Sequence, residues 1–150
     1  MAASKEKKVQ RTKQPSSPEA KNIRKPDSSN GYHPSWCFSA CDTVSWTFSN
    51  DDFMLEILPR LKEWEAKTWN EILIHAKKAN HSIDTKQLNQ VAMDRLDKLR
   101  IEANAVISLR IQGSHRLYGY RIGSVFYILW FDPNHGDNDT FVCRSRKKHT

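Results

Sequence analysis

Long hydrophobic runs are missing from this chain of 150 residues. The longest, Val125 to Phe131, is far short of the roughly 20 apolar residues that a membrane-crossing helix needs. No membrane partner is therefore expected. Cysteine is scarce: there are three residues, and an odd number argues against a secreted disulfide framework and for a reducing cytoplasm. His33, Cys37 and Cys41 recur every four residues, but no Cys-x2-Cys pair accompanies them. They read as buried or incidental thiols rather than a metal site, and no cofactor is expected. Large aliphatics are nearly absent from residues 1–30, where Val9 and Ile23 stand among Pro15, Pro18, Pro26 and many Ser and Lys. Such a segment buries too little apolar area to offset its ordering entropy, so residues 1–30 are expected to be a disordered basic leader. No apolar stretch follows the basic start, as a signal peptide would require.

Positive charge is also missing from the place where a basic domain would carry it. The net charge is +7, yet residues 1–30 hold eight Lys/Arg against three Asp/Glu, and 144–150 hold four Lys/Arg with no carboxylate. Residues 31–143 keep 12 Lys/Arg against 14 Asp/Glu. A single domain over 31–143 between a leader and a basic tail (144–150) is therefore mildly acidic. Its arginines are local features and no part of a general nucleic-acid-binding coat.

What is present divides by period. Ser35–Ser39 and Ser45–Ser49 are near-copies, Ser-Trp-x-Phe-Ser, each fit for a half-buried strand, with Ser45–Ser49 the better strand because a helix start follows it. Ser49 or Asn50 caps a helix carrying Phe53, Ile57, Leu61 and Trp64 at helical spacing, with a kink or break expected at Pro59. Thr68-x-x-Glu71 is a capping box for a second helical segment that ends at Asn80-His81-Ser82. Asp84-x-x-Gln87 opens a third, with Leu88, Val91, Ala92, Leu96 and Leu99 on one face.

From Ala105 the period becomes two. Ile107, Leu109 and Ile111 alternate with polar residues, Gln112–Ser114 is a turn, and His115–Ile122 and Val125–Asp132 form a hairpin about Gly123-Ser124. Asp132–Asp139 is a loop by composition, and Thr140–Cys143 is a short last strand. The fold class expected is α+β: an N-terminal strand, two to three helices, then an antiparallel sheet of three to four strands.

Register decides which basic side chains meet. A three-residue loop at Gln112–Ser114 pairs Ile111 with His115 and gathers Arg110, Arg116, Tyr118 and Tyr120 on an open face. Ile107, Leu109, Ile111, Leu117, Ile128 and Trp130 then face the helices. A two-residue loop gathers Arg110, His115 and Arg121 instead. The first makes the cleaner core. Arginine forks match phosphate oxygens, and tyrosines stack on unpaired bases. RNA cleavage through a ribose 2′-OH also needs a base, an acid and charge stabilisation. Arg116, His135, Arg110 and Tyr118 are the catalytic candidates; Tyr120, Arg121 and His115 are candidate RNA contacts.

The half-buried strand, the turn, His115-Arg116-Leu117-Tyr118, the short hairpin, the apolar strand and His135 together resemble the C-terminal half of the RelE/ParE/YoeB toxin superfamily. The resemblance spans about residues 105–135. It implies a strand–helix–helix–sheet fold and a bacterial, cytoplasmic toxin paired with an antitoxin protein. Most RelE and YoeB relatives cleave mRNA on the ribosome without a metal, and ParE members poison gyrase. Arg116 matches the strand arginine that contacts the phosphate, and His135 matches, more loosely, the histidine after the last core strand. The family's C-terminal aromatic has no counterpart here. Two other readings stand beside this one: a non-catalytic RNA- or protein-binding module using the same sheet face, and a structural domain whose tails contact nucleic acid. The apolar strand Val125–Phe131 requires cover on both faces or a partner, such as an antitoxin helix or a second copy in a homodimer.

Overall fold

The computed structural model describes residues 28–135 and 142–143. The leader (apart from its last residues), Thr140, Phe141 and the basic tail lie outside the described residues. The fold is α+β, built on one five-stranded sheet in the order β1-β5-β4-β3-β2. The strands are β1 (Ser35–Cys37), β2 (His81–Asp84), β3 (Ala105–Gln112), β4 (His115–Ile122) and β5 (Val125–Asp132). All pairs are antiparallel except β1 with β5, which is parallel.

The first strand is thus Ser35–Cys37, not Ser45–Ser49. The two copies have the same local pattern, so long-range pairing separates them. Ser35–Cys37 finds the free edge of β5, with Trp36 opposite Phe126. Trp46, by contrast, takes a left-handed φ of 50° that no strand continues through. His81–Asp84, expected as a break at Asn80-His81-Ser82 and the opening of the third helix at Asp84, is instead the edge strand β2.

Ser49 does cap the first helical stretch. Its hydroxyl accepts from Asp52 N at 3.0 Å, and the Asp52 carboxylate accepts from Ser49 N at 2.9 Å. An α-helical turn α1 (Asn50–Asp52) runs into a π-helical turn (Phe53–Ile57) and then α2 (Leu58–Glu65). Leu58 N reaches back to Phe53 O. The widened turn lies just before Pro59, which has no N–H to donate. The chain therefore absorbs Pro59 without ending the helix. The Thr68–Glu71 capping box also forms, opening a second π-helical turn (Asn70–His75). Asp84 caps only a 3-10 turn (Thr85–Gln87). The third helix, α3 (Gln90–Lys98), starts later, with Asn89 accepting from Ala92 N at 2.9 Å. Leu88 is buried ahead of the helix, and Val91, expected on its inner face, is exposed.

Both sheet faces are covered. Ile57, Leu61, Trp64, Trp69 and Ile72 pack on Ile107, Leu109, Ile111, Leu117, Phe126, Ile128 and Phe131. On the other face α3 brings Leu88, Ala92 and Leu96 against Val106, Tyr118, Leu129 and Trp130. The open tyrosine face expected above is therefore closed, and the chain itself supplies the cover that the apolar β5 needs.

Two bulges set the registers. The β3–β4 turn is the two-residue Gly113-Ser114, with Gln112 opposite His115. An extra residue at Ile111 then restores the register of the three-residue loop, with Arg110 opposite Arg116 and Leu109 opposite Leu117. In β5, Tyr118 pairs with Trp130 and Gly119 with Ile128, leaving Leu129 extra. Every residue after Leu129 changes face as a result. Trp130 joins Tyr118, away from Ile128, and Asp132 comes opposite Arg116 rather than sharing a face with His115. Gly119 makes this second bulge fit, since a Cβ there would lie 2.2 Å from Tyr127 O and 2.6 Å from the Phe126 ring. Gly119→Ala is expected to cost about 1–3 kcal/mol through overpacking. In denaturant titrations it should appear as a lowered midpoint with an unchanged slope.

Candidate functional site

The chemistry-bearing residues collect at the β3–β4 turn. Arg110 and Arg116 are cross-strand partners, so their side chains leave the sheet together. Both fold back onto one backbone acceptor: Arg110 Nε donates to Gly113 O at 3.2 Å, and Arg116 Nη1 donates to the same oxygen and, at 3.3 Å, to His115 O. The turn can present that carbonyl because Gly113 takes a φ of 49°. Among the described residues, the ion pairs are Arg60–Glu63, Arg95–Asp42 and His115–Glu56. Neither Arg110 nor Arg116 has a carboxylate at ion-pair distance among the described residues. Burial, and then the neighbouring Arg110, lower the Arg116 pKa against the weaker opposing fields of Tyr118, Asp132 and Cys143, so two like charges are held side by side.

His135 is the third member. Its backbone N–H donates to Ser114 O at 3.1 Å, which fastens the loop after β5 to the turn. Its Nδ1 lies 3.1 Å from the Tyr118 hydroxyl. Burial, followed by the fields of Arg116, His81 and Arg110, pushes the ring's pKa down to about 4. At neutral pH it is an uncharged imidazole able to accept a proton.

Tyr118 is fully buried, and its hydroxyl also lies 3.4 Å from Cys143 Sγ. Burial, then Cys143, raise its pKa well above the phenol range. It bonds His135 and, being fully buried, offers no stacking surface. Asp132 anchors both flanks of the site. It accepts from Asn134 N at 2.9 Å, ahead of His135, and from Val142 N at 2.7 Å, ahead of Cys143.

The structure therefore brings together Arg110, Arg116, Tyr118 and His135, and separates the other three candidates. Tyr120 shares their face but stacks flat on Tyr127, with centroids 5.0 Å and planes 5° apart. His115 and Arg121 point to the opposite face. There Arg121 donates to Asn30 Oδ1 at 2.6 Å and lies over the Trp69 ring, and His115 bonds Glu56 and meets the edge of Phe131. His81, Asp132 and Cys143 were not read as site residues from sequence. Asp132 could have been, since Asp-Pro-Asn after a strand is a carboxylate placed to bind the N–H two residues on. As for the metal-like spacing, His33 is engaged with Lys67 O at 2.9 Å and Cys37 with Ser39 Oγ at 3.1 Å.

Comparisons of the chain with protein-family models, with curated proteins and with solved structures give no match. Among the described residues no helix is long and apolar enough to cross a membrane. What the site can do follows from its chemistry: two guanidiniums with no carboxylate at ion-pair distance among the described residues, beside a neutral imidazole, suit an oxyanion carrying a transferable proton.

Proposed function

We propose that this protein is a toxin-type mRNA endoribonuclease of the RelE-like kind, cleaving through the ribose 2′-OH. The observation that carries the reading is the Arg110–Arg116 pair, two adjacent guanidiniums with no carboxylate at ion-pair distance among the described residues, with uncharged His135 beside them. A structural arginine pair would be expected to sit on carboxylates, because two like charges side by side repel. In this reading a phosphodiester supplies the negative charge at contact distance, where Asp132 acts on Arg116 only through its field.

In this reading His135 Nδ1–H donates to the Tyr118 oxygen, which leaves the Nε2 lone pair to take the 2′-hydroxyl proton. The 2′-oxygen attacks phosphorus, and Arg110 and Arg116 hold the charge gathering on the non-bridging oxygens. The P–O5′ bond breaks and the 5′-oxygen leaves with a proton. The products are a 2′,3′-cyclic phosphate and a 5′-hydroxyl. An mRNA, an antitoxin protein and a cytoplasmic setting belong to this proposal.

The test is to express the wild-type chain and follow growth and transcript integrity, then map the ends made by the purified protein on free RNA and on ribosome-bound message. Growth arrest with 2′,3′-cyclic phosphate ends, lost in His135→Ala, is the expected result. Wild-type chain that binds RNA with intact ends would instead make the sheet end a binding module.

A further inference from the structure

The scheme above lacks an acid for the 5′-oxygen. Tyr118 is fully buried and its hydroxyl is already engaged by His135 and Cys143, so another group is needed. A second imidazole stands on the other side of the same turn. Ser114, whose carbonyl holds His135, is followed directly by His115, and the Arg116 guanidinium touches the His115 carbonyl at 3.3 Å. His115 Nδ1 is bonded to Glu56 Oε1, which also accepts from Gln112 Nε2 at 3.1 Å. A carboxylate on Nδ1 fixes the ring and leaves Nε2 as the nitrogen that exchanges a proton with whatever lies outside. The His115 side chain is 30% exposed. Glu56 belongs to the π-helical turn Phe53–Ile57, and π turns of this sort recur where a helix must aim a functional side chain.

We propose that His115, oriented by Glu56, is the general acid of this site: it protonates the 5′-oxygen of a phosphodiester lying across the tip of the β3–β4 turn. This rests on the endoribonuclease reading. The base and the acid then flank the two arginines, one from each side of the sheet end. The proton lost by the 2′-hydroxyl goes to His135. A different proton leaves His115 Nε2 for O5′ as the P–O5′ bond breaks, and solvent exchange resets both rings. Glu56 acts through His115 and is a positioning residue.

The experiment compares an mRNA fragment with the same fragment carrying sulfur in place of the bridging 5′-oxygen at the cut, each tested free and on ribosomes. A thiolate leaves without being protonated. His115→Ala is expected to slow cleavage of the oxygen substrate by about 10²–10³-fold, the usual scale of a lost general acid, and to cleave the sulfur substrate within about tenfold of wild type. Glu56→Ala should lower kcat with KM nearly unchanged, while Glu56→Gln, which still accepts from Nδ1, should retain more activity. Equal loss on both substrates would reduce His115 to a fastening of the π turn to the sheet, and no loss on either would remove it from the chemistry. Both results overturn this inference and leave the endoribonuclease reading standing. A wild-type chain that cleaves neither substrate overturns both.

Discussion

Asp42→Ala is expected to destabilise the fold by about 3–5 kcal/mol, the scale for removing one partner of a buried ion pair. Its side chain is fully buried, and its two oxygens accept five hydrogen bonds. Arg95 donates through Nε and Nη2, both at 2.8 Å, Trp130 Nε1 at 3.0 Å, Val44 N at 2.9 Å and Ser45 N at 3.2 Å. One carboxylate thus joins the segment leading to Trp46, helix α3 and the centre of β5. Its loss leaves the Arg95 guanidinium and the Trp130 indole N–H unsatisfied together. Against a total stability of about 5–15 kcal/mol for a domain of this size, the variant should be partly unfolded at 37 °C. Replacing both partners, Asp42→Leu with Arg95→Met, should cost less than Asp42→Ala alone, because no charge is then stranded.

The same carboxylate sets an acid limit. Burial raises its pKa, but the bonds from Arg95, Trp130, Val44 and Ser45 outweigh burial and bring it from 3.8 down to about 2. A depressed folded pKa contributes stability that is present above pH 3.8 and is lost as pH falls through about 2. The amount is on the order of 2 kcal/mol. Urea unfolding at pH 7 and pH 3 checks it: the wild type should lose part of this contribution by pH 3, whereas Asp42→Asn should lack that dependence. Equal pH responses in the two proteins would show that Asp42 is not the titrating group.

The sequence carried the parts of this fold that are local and left out those that are pairings. Gly123-Ser124 was legible as a turn because only its first residue needs a positive φ; Gly123 has 62°, and Ile122 pairs with Val125 as expected. The convergence of Arg110 on Arg116 was legible too, since one choice of register gave the cleaner apolar face. The bulge at Leu129 could not be read. From Val125 to Phe131 every residue is apolar, so alternation reports no face and a slip leaves no mark. That single residue is why Asp132 faces Arg116. β2 was equally silent, with Ile83 its only buried residue. Asp42 looks like any turn aspartate until α3 and β5 arrive beside it. The site divides in the same way. Arg110, Arg116, Tyr118 and His135 lie on one continuous stretch of hairpin, whereas Glu56 meets His115 only across the packed core.

Arg116→Ala is the substitution that separates the proposed chemistry from the fold. Arg116 is partly buried, donates to two backbone carbonyls and is opposed by Arg110, so its removal should cost stability on the order of 1 kcal/mol. Cleavage, by contrast, should fall by about 10²–10³-fold, as when one donor to a developing oxyanion is lost. Arg116→Lys should recover only part of the rate, since an ammonium lacks the planar fork that grips two phosphate oxygens. Binding of a non-cleavable single strand should lose about 0.7 from the slope of log affinity against log salt, one phosphate contact's worth. A third readout needs no RNA. Burial is the first cause of the low His135 pKa and the Arg116 charge the second. Removing the charge should therefore raise the His135 midpoint from about 4 part of the way toward 6.5, followed by NMR of the ring protons. A rate and a salt slope equal to wild type would show that Arg116 does not meet the phosphate. A shifted His135 midpoint together with an unchanged rate would place the arginine beside the imidazole but outside the reaction.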